Sequence, residues 1–229
     1  MAKHIGIVAC SSEGAALCYR TICAEAPARM GRHDHPEVTM HTFPLDEYMQ
    51  HIYDGEWDRV GDMMADSARK LAACGAELAI CPDNTIHQAY DRAVELSPIP
   101  WLHIAQVVAD EATRQGRRHL GVLGTRYLME GPVYADALAA AGVEMSIPPD
   151  DDRERINAII FDELVCGRFT DESRTYFETV IAALARGGAD AVVLGCTEIP
   201  LLVDPARSPL PTLDSTRLLA RAALREALA

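Results

Sequence analysis

The sequence predicts an α/β protein made of two similar three-layer halves, each a parallel-rich sheet covered by helices. Three observations predict it. Short β-branched runs alternate with longer helical stretches along the 229 residues, the pattern of layered α/β folds. Several of the runs, Ala191–Leu194 among them, are apolar on both faces, as strands buried between two helical layers must be. And one stretch of the chain repeats another.

The strands expected in order are Ile5–Ala9, Thr39–Phe43, Leu78–Cys81, Trp101–His103, Leu120–Leu123, Glu144–Ile147, Ala191–Leu194 and Pro211–Leu213. The helices expected between and after them are Glu13–Ala26, Glu56–Cys74, Ile104–Gln115, Glu130–Ala141, Asp152–Cys166, Asp171–Arg186 and Ser215–Leu228. The repeat joins Leu71-Ala72-Ala73-Cys74-Gly75-Ala76-Glu77 to Leu184-Ala185-Arg186-Gly187-Gly188-Ala189-Asp190 at a shift of 113 residues. His4-Ile5-Gly6-Ile7-Val8 matches His119-Leu120-Gly121-Val122-Leu123 at a shift of 115. Two matches in the same order at nearly one shift indicate duplicated halves. The prolines of Ser97-Pro98-Ile99-Pro100 mark the division, and the C-terminal helix returns to the first half. The expected domains are therefore 1–98 with 212–229, and 99–211. Ligands of parallel sheets sit beyond the carboxyl ends of the strands, so the active site is expected in the cleft between the halves.

Composition narrows the function. Apolar residues make up 49% and charged residues 24% of the chain, as in an ordinary globular protein. The net charge is −13, with no long basic run, which argues against nucleic acid or an anionic membrane surface as partner. No apolar run approaches the length of a membrane span, and the N-terminal residues read as a strand rather than a signal peptide. Seven cysteines at irregular spacing, with no CxxC pair, point to a reducing, cytoplasmic setting. No GxGxxG or GxxxxGK[ST] motif occurs, so nucleotide cofactors are not indicated. The eight histidines form no helical HxxxH pair, and no metal site is expected.

The repeat extends to two strand-end turns. Ile80-Cys81-Pro82-Asp83-Asn84-Thr85 lies over Val193-Leu194-Gly195-Cys196-Thr197-Glu198, which puts Asp83 on Cys196. A thiol at a strand end, just before a helix start, meets backbone N–H groups and a positive dipole end. Both favour the thiolate over the free thiol, whose pKa is about 8.5. Asp83 offers a carboxylate, and Asn84 and Thr85 offer hydrogen bonds to a substrate carboxylate; Asp and Asn also suit a helix cap at this place. An unperturbed Asp, with a pKa of about 3.9, needs burial to act as a strong base. Ser11-Ser12-Glu13 and Gly124-Thr125-Arg126 follow two other strands and offer hydroxyl and N–H groups to an anion.

Gly195-Cys196-Thr197-Glu198-Ile199-Pro200-Leu201-Leu202 resembles the second catalytic motif of the aspartate/glutamate racemase family, the cofactor-independent amino-acid racemases. Leu120–Met129, Ile156–Leu164 and Asn84-Thr85-Ile86-His87 are similar to other stretches of that family. The resemblance implies two α/β halves, no cofactor and a homodimer. It implies a reaction in which two thiols flank the substrate's α-carbon, one taking the proton and the other returning one to the opposite face. Cys196 is then one of the pair, and Asn84, Thr85, Thr125 and Thr197 grip the substrate's carboxylate and amine, with Ser11, Ser12 and Glu198 beside them.

The chain departs from the family at three places. Asp83 stands where the first motif has its cysteine, and Ala9-Cys10 replaces a glycine pair. Cys166 aligns with a lysine that in aspartate-type members meets the substrate's second carboxylate, leaving Arg126, Gln50, His51 and Arg168 as candidates, none of them marked out, for side-chain contacts. The leading reading is a racemase or epimerase acting on an aspartate- or glutamate-like amino acid, with Cys196 and Asp83 as opposed acid and base. The alternatives are a one-thiol decarboxylase, lyase or isomerase working through Cys196, and a catalytically inactive small-molecule-binding protein.

Overall fold

The computed structural model describes residues 2–229. The first sheet is built from β1 (Ile5–Ala9), β2 (Val38–Thr42), β3 (Leu78–Ile80) and β4 (Trp101–Leu102), with α1 (Ser12–Glu25), α2 (Pro27–Met30), α3 (Leu45–Tyr53), α4 (Trp57–Ala73) and α5 (Tyr90–Leu96) between strands. After α6 (Ile104–Arg114) come β5 (His119–Leu123), α7 (Arg126–Glu130), α8 (Pro132–Ala140), β6 (Glu144–Ser146), α9 (Asp150–Ile159), α10 (Asp171–Arg186), β7 (Ala191–Leu194), α11 (Ile199–Leu202), β8 (Thr212–Asp214) and α12 (Ser215–Ala227). The expected strands all form, each end within a residue of its predicted place.

Both sheets are wholly parallel and share one strand order, β2-β1-β3-β4 and β6-β5-β7-β8. The chain divides into two compact units. One takes the residues up to Ile104 and again Thr216–Ala229; the other is Ala105–Ser215. The break falls at 104/105 rather than 98/99 because β4 pairs with β3 and stays in the first sheet. The return falls at 215/216 rather than 211/212 because β8 pairs with β7.

The helices differ from expectation where the backbone is interrupted. The helix expected over Glu130–Ala141 begins at Pro132 as α8, and a short helix that was not expected, α7, precedes it and ends at Glu130; Pro132 lacks an N–H and opens α8. Asp152–Cys166 is α9 followed by a π-helical turn, Ile160–Leu164. Helix α3 went unpredicted because it is short and begins directly after Pro44, yet it buries Tyr48 and Ile52 on one face.

The repeated sequence has a structural cause. A helix packs on the central strand of each sheet, α4 on β1 and α10 on β5. A Cβ on Gly6 would lie 3.1 Å from Leu71 Cβ, and one on Gly121 would lie 2.8 Å from Leu184 Cδ1. Glycine in the strand therefore lets the leucine of the helix close down on it. Each helix then ends in the same turn. The Ala76 N–H donates to Leu71 O and the Ala189 N–H to Leu184 O, at 3.0 and 3.1 Å. Gly75 and Gly188 carry the left-handed backbone, φ +95° and +100°, that this reversal requires. Glu77 N–H then donates to His4 O, and Asp190 N–H to His119 O, both at 2.8 Å. Thus each helix is returned to its strand in register.

The interiors are apolar. Ile5, Ile7, Met64, Leu71 and Ile80 are buried in the first unit. Phe177, Ile156, Ile160, Ile181 and Val192 share one cluster in the second, and Cys196 lies at its edge.

Replacing Leu184 by Ala is expected to lower unfolding free energy by about 2–5 kcal/mol, since the shortened side chain leaves a cavity over Gly121. Gly188→Ala should cost about 1 kcal/mol through backbone strain alone. Urea titrations of the two variants measure both.

Candidate active site

In each unit the candidate residues stand at the carboxyl end of its sheet. In the second unit β7 ends at Leu194 and the chain turns at Gly195. The Gly195 N–H donates to Leu123 O at 2.7 Å, which draws the turn against the end of β5. A Cβ on Gly195 would lie 2.8 Å from that same carbonyl oxygen and 2.7 Å from Leu128 Cδ2. Glycine is therefore a steric requirement. The Ser215 hydroxyl donates to Leu194 O at 2.9 Å, and Tyr134 hydrogen-bonds Ser215 in turn. The strand end is held from three sides.

That turn presents Cys196, Thr197 and Glu198, which are 8%, 3% and 2% exposed. The Cys196 thiol donates to Glu198 Oε2 at 2.9 Å, and the Thr197 hydroxyl donates to the same oxygen at 2.6 Å. Thr125, after β5, caps α7 by accepting the Leu128 N–H at 3.2 Å. Asn157 of α9 accepts the Arg126 N–H at 2.9 Å and so ties α9 to the same strand end.

In the first unit the turn after β3 carries Asp83. Its Oδ2 accepts the backbone N–H groups of Cys10 and Ser11 at 3.2 and 3.1 Å. Those amides lead into the 14-residue helix α1, whose N-terminal dipole favours a carboxylate. Ser11 caps α1 by accepting the Gly14 N–H at 3.3 Å, while Ser12 opens the helix and is exposed. Asn84 is 3% exposed, with its amide 3.5 Å from Pro82 O. Thr85 is half-buried at the start of a 3₁₀ turn, Thr85–Ala89.

Two residues set this turn from beneath. Cys81 is fully buried, and burial together with the neighbouring Asp83 charge pushes its thiol well above the ordinary range. It is a protonated thiol whose Sγ lies 3.8 Å from Asp83 O. His87, 3% exposed, donates its Nε2–H to Cys81 O at 2.9 Å. Its ring stacks on Tyr90 at 5.5 Å and meets His103 edge-on at 4.8 Å. Burial and the adjacent His103 push His87 down to about 3, so it stays neutral and holds the end of β3. The sequence marked neither His87 nor Asn157 as a positioning residue. The only signal available was their place within motif stretches.

The candidate side-chain contacts lie in other pairings. Gln50 donates to Asp46 at 2.7 Å, and His51 pairs with Glu56 at 2.7 Å. Arg126 pairs with Glu130 at 3.0 Å, and Arg168 donates to Asp162 O. Cys166 is exposed beyond the π-helical turn. Among the described residues no group of three or more His, Cys, Asp or Glu is placed to hold a metal, and no helix is long and apolar enough to cross a membrane.

Gly195→Ala should lower stability by about 1–3 kcal/mol and displace Cys196, an effect read as slowed thiol alkylation together with a lowered Tm. His87 has a folded pKa below its unfolded value, so the unfolded state binds the extra proton and stability falls as pH drops below about 6.5. Between pH 6.5 and 5 the wild type should lose stability with a slope approaching about 1.4 kcal/mol per pH unit more than His87→Gln, measured by urea denaturation.

The chain matches the model of the Asp/Glu/Hydantoin racemase family over residues 6–223. It is 24% identical over 196 residues to the broad specificity amino-acid racemase RacX of Bacillus subtilis (strain 168), covering 86% of this chain and 84% of RacX. A crystal structure from Yersinia pestis, of a protein provisionally named an Asp/Glu racemase, aligns with TM-score 0.90 and 33% identity over 99% of this chain and 100% of that one. An aspartate racemase homologue from Pyrococcus horikoshii OT3 aligns with TM-score 0.85 and 26% identity over 100% of both chains. With these matches added to two like-ordered parallel sheets and a strand-end thiol, the chain belongs to the Asp/Glu/Hydantoin racemase family, a family of isomerases.

Proposed function

We propose that the protein is a cofactor-independent amino-acid racemase or epimerase in which Cys196 and Asp83 act on opposite faces of the substrate's α-carbon. The observation that carries this reading is the equivalence of the two residues. Each follows the third strand of a sheet of the same order, four residues after the strand residue that pairs with the central-strand glycine, Ala79 with Gly6 and Val192 with Gly121. Two-base chemistry needs two acid/base groups, each within hydrogen-bond reach of the α-proton.

In the proposed step the Asp83 carboxylate takes the α-proton. The C–H electron pair passes onto the α-carbon and into the substrate's carboxylate. The Cys196 thiol then delivers its proton to the other face, leaving a thiolate and a carboxylic acid. Asn84, Thr85, Thr125 and Thr197 hold the substrate's carboxylate and amine, with the Ser11 and Ser12 turn beside them. The substrate class is an aspartate- or glutamate-like amino acid. A homodimer in the cytoplasm completes the reading, on the family resemblance and the seven thiols.

One observation favours a second reading. Asp83 Oδ2 already accepts two backbone N–H groups, which suits an anchor for the β1–α1 turn as well as a base. In that case Cys196 protonates an enolate from one side, as in a decarboxylase.

Proton exchange in deuterated water, followed by NMR over all amino acids, tests the first reading. Wild type should exchange the α-proton of a subset of them, and Cys196→Ser should slow this by at least about a hundredfold. Asp83→Cys should exchange both enantiomers of aspartate or glutamate at comparable rates. Absence of exchange by wild type across the panel sinks the racemase reading. Carbon dioxide release from a substituted malonate, kept in Asp83→Asn and lost in Cys196→Ala, establishes the second.

A further inference from the structure

The Cys196 thiol and the Thr197 hydroxyl converge on a single oxygen of a single buried carboxylate. Sγ lies 2.9 Å and Oγ1 2.6 Å from Glu198 Oε2. A carboxyl oxygen has two lone pairs and can accept from both donors at once. Glu198 is 2% exposed, so little water reaches it to compete for the thiol proton.

The surroundings reinforce this. Strand β8 brings Asp214 alongside Leu194, and α8 brings the Tyr134 ring to the Gly195 turn. These titratable groups are acidic or phenolic. From α9, the π-helical turn and α10 come Ile156, Ile160 and Phe177, which are apolar members of the cluster that includes Cys196. A thiolate at Cys196 would place its negative charge within hydrogen-bond distance of the buried Glu198 carboxylate group. Like charges so arranged disfavour ionisation.

We propose that Glu198 is a positioning residue that keeps the proton on Cys196 and aims it, so that Cys196 enters turnover as the proton donor and the opposite face supplies the base. This rests on the racemase reading above and gives it a direction. The resting pair is a carboxylate at Asp83 and a thiol at Cys196. The enantiomer whose α-hydrogen faces Asp83 reacts from that state directly. The other enantiomer requires the proton to move first from Cys196 to Asp83. After one turnover Asp83 holds the substrate's proton and Cys196 has given up its own. Release of one proton to solvent and uptake of another restore the start, with no change of oxidation state.

The test is alkylation of the full-length protein by iodoacetamide from pH 5 to 10, with Cys196 followed by peptide mapping. Glu198→Gln keeps an acceptor oxygen and removes the charge. The midpoint of the Cys196 profile should fall by about one pH unit, a roughly tenfold faster reaction below the midpoint. The exposed Cys74 and Cys166 should keep their midpoints. The buried Cys81 reports on folding, because a variant that merely opens raises its amplitude. A Cys196 midpoint that is unchanged or higher in Glu198→Gln overturns the proposal, whatever its amplitude. Deuterium wash-in by each enantiomer supplies the second measurement. Wild type should prefer one enantiomer, and Glu198→Gln should bring the ratio toward one; a ratio that stays the same also overturns the proposal. Failure of every amino acid to exchange counts against the racemase reading, and the alkylation midpoint still decides the role of Glu198.

Discussion

The structure depends on one contact made twice: a helix leucine seated on a strand glycine. Leu71 closes on Gly6 and Leu184 on Gly121, and the left-handed glycine that follows each helix returns the chain to the sheet. The constraint is steric. Any side chain on the central strand at this place would lift the helix away. Any residue other than glycine at the turn would strain the reversal. With both conditions met, β3 and β7 enter their sheets in fixed register beside β1 and β5. The position of Asp83 and of Cys196 at the strand ends follows from that register.

From the same start the two units finish their turns by different means. The second unit places Gly195 before its thiol, and the absence of a Cβ lets the turn press onto the Leu123 carbonyl. The first unit places Pro82 before Asp83, and the carboxylate itself bonds the N–H groups of the neighbouring turn. One unit thus aims a thiol at a buried carboxylate, and the other uses its carboxylate to hold backbone. The contacts of the two turns are unequal even though the two sheets share one strand order.

Much of the fold was legible because periodicity and punctuation act locally. Strand runs such as Ala191–Leu194 are short, apolar and bounded by turn residues. The helix break at Gly131-Pro132 and the π-helical turn at Ile160–Leu164 were not legible, since both lie inside continuous helical patterns. The position of Cys196 could be read from its motif. Its bond to Glu198 could not, although only two residues separate them, because that bond depends on burial of the carboxylate. The tie from Asp83 to Cys10 and Ser11 spans more than seventy residues and exists only once β1 and β3 pair.

The sequence by itself determined the fold class, the duplication and the equivalence of the strand-end residues Asp83 and Cys196. These follow from local patterns of apolar residues, glycines and repeats. Only the tertiary structure decided what those residues touch. It put a buried carboxylate against the Cys196 thiol, a pair of backbone amides against Asp83 and a neutral His87 beneath the Asp83 turn. Such contacts form between elements that packing brings together, and the strength of each is set by exclusion of water.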